Sequence, residues 1–236
     1  MNRFMADNLE RVKVQIAQAA RHAGRDPGSV RLVAVSKGIP VHVMRAAQVA
    51  GITTFGENRV QEFIRKYREF GPEVEWHFIG YLQRNKVRNL VNKVKLIHSL
   101  DRWNLATELN RQATQEGVCF DALVQINVAR ERSKHGLYEE ELRDFLTAST
   151  QLPGVRIRGL MTMAPFVHDP EEVRPVFRRL RELAEDNRNT PGLAMDFLSM
   201  GMTQDYMVAV EEGANIVRVG TAIFNPLQEG KGKGHG

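Results

Sequence analysis

Apolar residues along the chain fall into short continuous runs separated by longer stretches with helical spacing. The first stretch, Met5 to Ala23, repeats apolar residues at Leu9, Val12, Ile16, Ala19 and Ala20 before Gly24 and Pro27 stop it. That spacing predicts an N-terminal helix. Leu32 to Val35 then gives four consecutive apolar residues, the pattern of a short strand buried on both faces of a parallel sheet. From there the two patterns alternate. Helices are expected over 41–50, up to 68, up to 92, and over 101–116, 139–148, 170–187 and 203–212. Strands are expected at 53–55, 75–79, 95–99, 121–127, 155–160, 196–198 and 215–219.

Each strand after the first follows a helix, and no hairpin turn joins two strands, so the sheet should be parallel. Eight such units in roughly 225 residues are the signature of an α/β fold, a single (β/α)8 TIM barrel with an extra N-terminal helix. An open doubly wound sheet fits less well, because no glycine fingerprint follows the first strand. The barrel is expected to occupy residues 1–227, with 228–236 (containing G-K-G-K-G-H-G) as a disordered tail.

Composition narrows the class of protein. At 236 residues and 42% hydrophobic, the chain can bury a large core. No apolar run approaches the roughly 18 residues of a membrane span, and the first residues lack the apolar core of a signal peptide. The single cysteine, Cys119, excludes an internal disulfide framework and a zinc site built on cysteines. A cytoplasmic protein with no membrane partner is expected. The formal charge of +5 is mild. The densest basic run, Arg84 to Lys95, could contact phosphates or be the solvated face of an amphipathic helix. The second reading is favoured, and no nucleic-acid partner is expected.

In a barrel the chemistry sits where strands end. Lys37 follows the first strand directly, in R-L-V-A-V-S-K-G. A buried ammonium has a high desolvation cost unless it is paired, neutralised or used covalently. Burial also frees an amine's lone pair for a carbonyl, so a Schiff-base role is open. The alternative is a lysine whose stem packs while its head reaches solvent. After the last two strands come L-S-M-G-M-T and V-R-V-G-T-A. Ser199, Met200, Gly201, Gly220 and Thr221 could cradle a phosphate with backbone N–H groups and helix dipoles, or simply be glycine turns and caps. Arg218, inside an apolar strand, wants a specific partner, either a ligand or an ion pair within the barrel.

Several motifs, in consistent order over about residues 5 to 227, carry a resemblance: V-A-V-S-K-G, F-G-E-N-R-V-Q-E, W-H-F-I-G-Y-L-Q-R-N-K, H-S-L-D-R, G-L-M-T-M, L-S-M-G-M-T-Q-D and V-R-V-G-T-A-I-F. Together they resemble the pyridoxal phosphate homeostasis proteins, whose barrel is similar to the N-terminal domain of alanine racemase and the fold-type III enzymes. The resemblance implies pyridoxal 5'-phosphate held on Lys37 as an internal aldimine. It implies Ser199, Met200, Gly201, Gly220 and Thr221 around the phosphate and Arg218 near the ring nitrogen, with Asn58, His77 and Met161 beside the ring. It further implies a monomer acting in vitamin B6 balance and, indirectly, amino-acid metabolism, without a demonstrated catalytic activity. Apo-enzymes that use the cofactor, or proteins of the B6 pathway, are the candidate protein partners.

The chain departs from the family pattern at Tyr81, where proline is expected, at Arg84, where serine is usual, and in the basic segment A-R-E-R-S-K-H-G after Asn127. Alanine racemase carries a second β-rich domain that supplies a catalytic tyrosine, and this chain is expected to lack it. Of the four tyrosines, only Tyr81 directly follows an expected strand. A monomeric amino-acid racemase or lyase using the same cofactor is the alternative. A cofactor-free aldolase using Lys37 is a third reading.

Overall fold

The eight apolar runs form strands, and the strands close on themselves. A computed structural model of the protein describes residues 2–131 and 133–225, so the expected tail at 228–236 lies outside the described residues. The strands are β1 (Arg31–Val35), β2 (Thr54–Glu57), β3 (Glu75–Phe78), β4 (Leu96–Leu100), β5 (Phe120–Gln125), β6 (Val155–Met161), β7 (Phe197–Ser199) and β8 (Ile216–Val219). They are parallel, hydrogen-bonded in chain order, and closed by β8 pairing back onto β1 with Val33 opposite Arg218. The helices are α1 (Asn2–His22), α2 (Val41–Val49), α3 (Val60–Phe70), α4 (Trp103–Glu116), α5 (Glu139–Ser149), α6 (Arg174–Asp186), α7 (Tyr206–Glu211) and α8 (Thr221–Phe224). This is the TIM barrel with an added N-terminal helix that the spacing predicts.

One expected helix is absent. Between β3 and β4 the chain forms only a 3-10 turn, Arg84–Asn89, instead of an α-helix reaching 92. The segment carries Asn85, Asn89 and Asn92, weak helix formers whose side chains compete for backbone groups. Asn92 also adopts a left-handed φ of 55°. Val87, Leu90 and Val91 are nevertheless buried. The apolar spacing was therefore a correct sign of burial but not of helix type.

Packing falls into two shells. Between strands and helices, Phe55, Phe63 and Phe70 surround Trp76 with ring centroids 5.5 to 6.0 Å away. Such pairs add about 0.5–1.5 kcal/mol each beyond their area burial. Inside the barrel, Val33, Leu96, Leu123, Met161 and Ile216 form a smaller apolar layer. Five polar residues share that interior: Glu75, His77, His98, Ser199 and Arg218, linked by hydrogen bonds.

The added helix α1 buries Met5, Leu9, Val12 and Ile16, each contributing roughly 1.5–3 kcal/mol on full burial. Its place is fixed by Asn8 Nδ2, which donates to the carbonyls of Ile223 and Asn225 at 3.2 and 2.9 Å. Arg25 just beyond it donates to the carbonyls of Val210 and Ala214 at 2.6 and 2.9 Å. Among the described residues, no helix is long and apolar enough to cross a membrane.

Candidate functional site

The loops that follow the carboxyl ends of the strands enclose a cleft of about 680 Å³. Lys37 reaches it after β1, Asn58 after β2, Lys134 after β5 and Phe166 after β6. Met202 to Asp205 follow β7, and Arg218, Gly220 and Thr221 complete the wall from β8.

Lys37 is exposed at this mouth, not buried, because β1 ends at Val35 and the chain turns over Gly38 at φ +72°. Lys37 is therefore not the buried ammonium that its place after an apolar strand suggests. Placement acts instead. Lys66 of α3, fully buried, donates to the Ser36 carbonyl at 2.5 Å, to Glu57 Oε1 at 2.6 Å and to Glu62 Oε1 at 2.8 Å. Ser36 Oγ donates to Glu57 Oε1 at 2.6 Å, and the Gly38 amide donates to Glu62 Oε1 at 2.7 Å. The residues on both sides of Lys37 are thus tied to α3.

The two carboxylates of this cluster respond differently. Burial pushes the Glu57 carboxyl up, against the opposing pull of Lys66 and Ser36. Its Oε2 is buried without a partner. Burial also works against ionised Glu62, but the hydrogen bonds from Lys66 and Gly38 outweigh it and hold that carboxyl below its usual range.

The loop after β7 is built around Gly201. Its φ is +91°, and a Cβ there would stand 2.6 Å from that of Ala209, so a side chain is both strained and obstructed. Asp205 caps the loop, accepting from the Met202 amide at 2.6 Å. Burial raises the Asp205 carboxyl, opposed by that amide and by Arg218. Thr203 Oγ1 accepts from the Ala222 amide at 3.5 Å, which joins this loop to α8. Among the described residues, the amides of Gly220 and Thr221 donate to no protein group. They are the open donors expected at a helix start.

Arg218 points inward from β8. It donates to Ser199 Oγ and, at 2.9 Å, to the Thr162 carbonyl, which leaves three of the five guanidinium donors uncommitted. Burial lowers its pKa to about 10, with Asp205 opposing the shift. It is still a cation at neutral pH.

Lys37, Asn58, Arg218, Gly220 and Thr221 thus meet at one cleft. Ser199, Met200 and Gly201 are buried beneath it instead of forming its wall. Alternation along β7 turns Ser199 into the barrel, against Arg218 and His98, and puts Met200 in the outer core. His77 and Met161 are likewise interior, His77 bonded to Glu75 and His98 and Met161 within the inner apolar layer. Reading the sequence missed Lys134, Asp205 and Phe166 on the cleft wall. Lys134 had a signal in the unusually basic segment that contains it, and Asp205 in the motif L-S-M-G-M-T-Q-D that it closes. Tyr81, the tyrosine expected at a strand end, stacks on His135 with centroids 4.2 Å apart, and the Arg102 guanidinium lies 4.4 Å from its ring centroid.

Known proteins resemble this chain in sequence and in fold. Residues 8–227 match the family model described as alanine racemase, N-terminal domain. A pyridoxal phosphate homeostasis protein of Aquifex aeolicus is 45% identical over 219 residues, spanning 92% of this chain and 96% of that one. The chain belongs to the pyridoxal phosphate homeostasis protein family. A second member, from Pseudomonas aeruginosa, is 40% identical over 227 residues, 96% of this chain and 97% of that one. PipY of Synechococcus elongatus PCC7942, 38% identical, has been solved without and with pyridoxal phosphate bound. Its two structures give TM-scores of 0.84 and 0.81, covering 93% of this chain and 99% of that one. The family and barrel implied by the motifs are thereby shown.

Proposed function

We propose that this protein holds pyridoxal 5'-phosphate in the cleft, covalently on Lys37, and serves the intracellular balance of that cofactor without transforming amino acids. The observation that carries this reading is the exposed Lys37 amine, clamped on both sides by α3 and opening on the same cleft as Arg218 and the Thr203 and Thr221 loops. PipY, solved with the cofactor bound, supports it.

The residues present fit such a group. A primary amine suits its aldehyde, the open amides of Gly220 and Thr221 with the nearby hydroxyls suit its phosphate, and Arg218 suits its ring nitrogen. Asn58 Oδ1, on the cleft wall, is buried without a partner and is free to accept from a ligand. When bound, the cofactor supplies an electrophilic carbonyl and an electron-withdrawing ring. Arg218 weakens the second property, because a cation beside the ring nitrogen disfavours a proton there. The exposed loop around Lys37 leaves the attachment open to water and incoming amines, which suits release to apo-enzymes.

Among the described residues, no tyrosine, histidine or cysteine lines the cleft as a second acid or base. Tyr81, the expected candidate, is held in its stack with His135 and Arg102. Lys134 and Asp205 are the ionisable groups on the wall besides Lys37 and Arg218, so the lining speaks against a racemase that uses tyrosine as its second base. A monomeric state and a cytoplasmic location belong to the same proposal.

The test is an absorbance spectrum of wild type beside Lys37→Ala after adding the cofactor. Wild type should show a band near ~420 nm, a property of the cofactor chemistry, that borohydride removes and the variant lacks. A band retained in the variant would move the attachment elsewhere. Solvent exchange of the α-hydrogen of added amino acids at enzymatic rates would overturn the carrier reading.

A further inference from the structure

Beneath the cleft a line of side chains crosses the barrel interior from β3 through β4 and β7 to β8. Glu75 Oε1 lies 2.9 Å from His77 Nε2, His77 Nδ1 lies 2.9 Å from His98 Nε2, and His98 Nδ1 lies 2.8 Å from Ser199 Oγ. Ser199 Oγ accepts from Arg218 Nη1. The four inner residues are buried, while Glu75 remains 35% exposed.

Hydrogen-bond chemistry allows few arrangements here. An ionised carboxylate only accepts, so His77 carries a proton on Nε2. A neutral His77 then accepts at Nδ1, which requires a proton on His98 Nε2. A neutral His98 accepts at Nδ1, and there the Ser199 hydroxyl is the donor. The Ser199 oxygen in turn accepts from the guanidinium. Every group is satisfied, and all the bonds run the same way. Burial favours neutrality at both rings, holding His77 below its ordinary value and His98 well below it. A cationic His98 would face Arg218 and leave the Ser199 hydroxyl proton without its acceptor.

We propose that Glu75, His77, His98 and Ser199 form a one-way hydrogen-bond relay that holds Arg218 rigid and aimed into the cleft. Asp205, at the mouth, is the carboxylate acting on Arg218, while Glu75 faces Arg31 and Lys95 besides His77. The four are positioning residues, acting through Arg218. The relay's consequence for the cofactor rests on the cofactor-holding reading, but the relay itself does not. An ordinary polar core would fill the same space without needing one proton direction or a fixed guanidinium.

The experiment is nitrogen-15 NMR of the imidazoles and arginine guanidinium groups in the full chain without cofactor. His77→Gln and His98→Gln serve to assign the rings. Both rings should be neutral with the proton on Nε2 from about pH 6 to 8, a range in which an ordinary histidine titrates. The Arg218 Nη protons should be separately resolved through hindered rotation. Ser199→Ala, a small change in volume, should speed their exchange about tenfold, the effect of losing one charge-assisted hydrogen bond. Glu75→Gln should shift the His77 Nε2 proton towards the position of a neutral hydrogen bond. A proton on His98 Nδ1, a ring that titrates near its ordinary value, or Arg218 exchange unchanged by Ser199→Ala would each overturn the relay. In the cofactor-loaded protein, Ser199→Ala should raise the half-saturating pyridoxal phosphate concentration about tenfold, and unchanged binding would overturn the link to the cleft. A wild type that takes up no cofactor defeats the proposed function, while the cofactor-free spectra still decide the relay.

Discussion

Two buried polar networks flank the cleft, and they are built on opposite electrostatic terms. Outside the barrel, between β1, β2 and α3, Lys66 sits among Glu57, Glu62 and the Ser36 carbonyl. Inside the barrel, two neutral imidazoles and a hydroxyl connect Glu75 to Arg218. The outer network brings full charges together without solvent, so its attraction and its desolvation cost are both large. The inner one separates its charges and fills the gap with groups that carry none. The first fixes a backbone loop and thereby Lys37, whereas the second fixes a side chain, Arg218. Removing one member should therefore cost more in the outer network, while the inner one should have the finer control over the cleft-facing cation.

Lys66→Ala should give the largest effect. It leaves Glu57 buried with an unpaired charge, and breaking a buried pair in this way costs about 3–5 kcal/mol. Denaturant unfolding measures this, and a loss below about 1 kcal/mol would put the outer network on a level with surface pairs. His98→Phe comes next. It orphans the Ser199 hydroxyl and His77 Nδ1, for a loss of about 1–3 kcal/mol by the same assay.

Glu57 of the outer network and the two histidines of the inner one should also respond oppositely to pH, while Glu62, held low, follows the histidines. His77 and His98 are held below 6.5 by burial, so below that value the unfolded chain binds more protons than the folded one. Their contribution is complete above the unfolded pKa and is lost as pH falls, by up to about 1.4 kcal/mol per pH unit for each ring. Glu57 has the reverse sign. Its folded pKa is raised above 4.5, so the folded chain binds the extra proton and stability falls as pH rises between the two values. His98→Phe should flatten the first slope and Glu57→Gln the second, read from unfolding free energies between about pH 4 and 7. One variant flattening both slopes would show that the networks are coupled. The smallest effect is expected at Tyr81→Ala, outside both networks. Loss of its exposed contacts to His135 and Arg102 should cost about 0.5–1 kcal/mol, with no change in the cofactor absorbance band.

The barrel was legible because strand burial on both faces leaves an unmistakable run, as in Leu32 to Val35, while helices covered by one face leave gaps of three and four, as in α1. The cleft was half legible. Lys37, Gly220 and Thr221 could be placed because residues directly after a strand must be at the mouth. Ser199 is one step earlier and could not be, since a strand's alternation decides whether a hydroxyl looks into the barrel or out of it. The helix expected before β4 became a 3-10 turn because apolar spacing reports which residues are buried, and the asparagines determined the tighter winding.

By itself the sequence determined the alternation of elements, the order of the strands, the family, and the lysine at the end of β1, since each is written in local pattern or contiguous motif. Tertiary structure alone decided that Lys37 is exposed and clamped, that Lys66 is the buried lysine, and that Glu75, His77, His98 and Ser199 stand behind Arg218. Lys66 lies in an amphipathic helix, where a lysine reads as solvated until the burial of its neighbours is known. The relay joins residues more than a hundred positions apart, and no local pattern encodes a hydrogen bond that exists only once the barrel has closed.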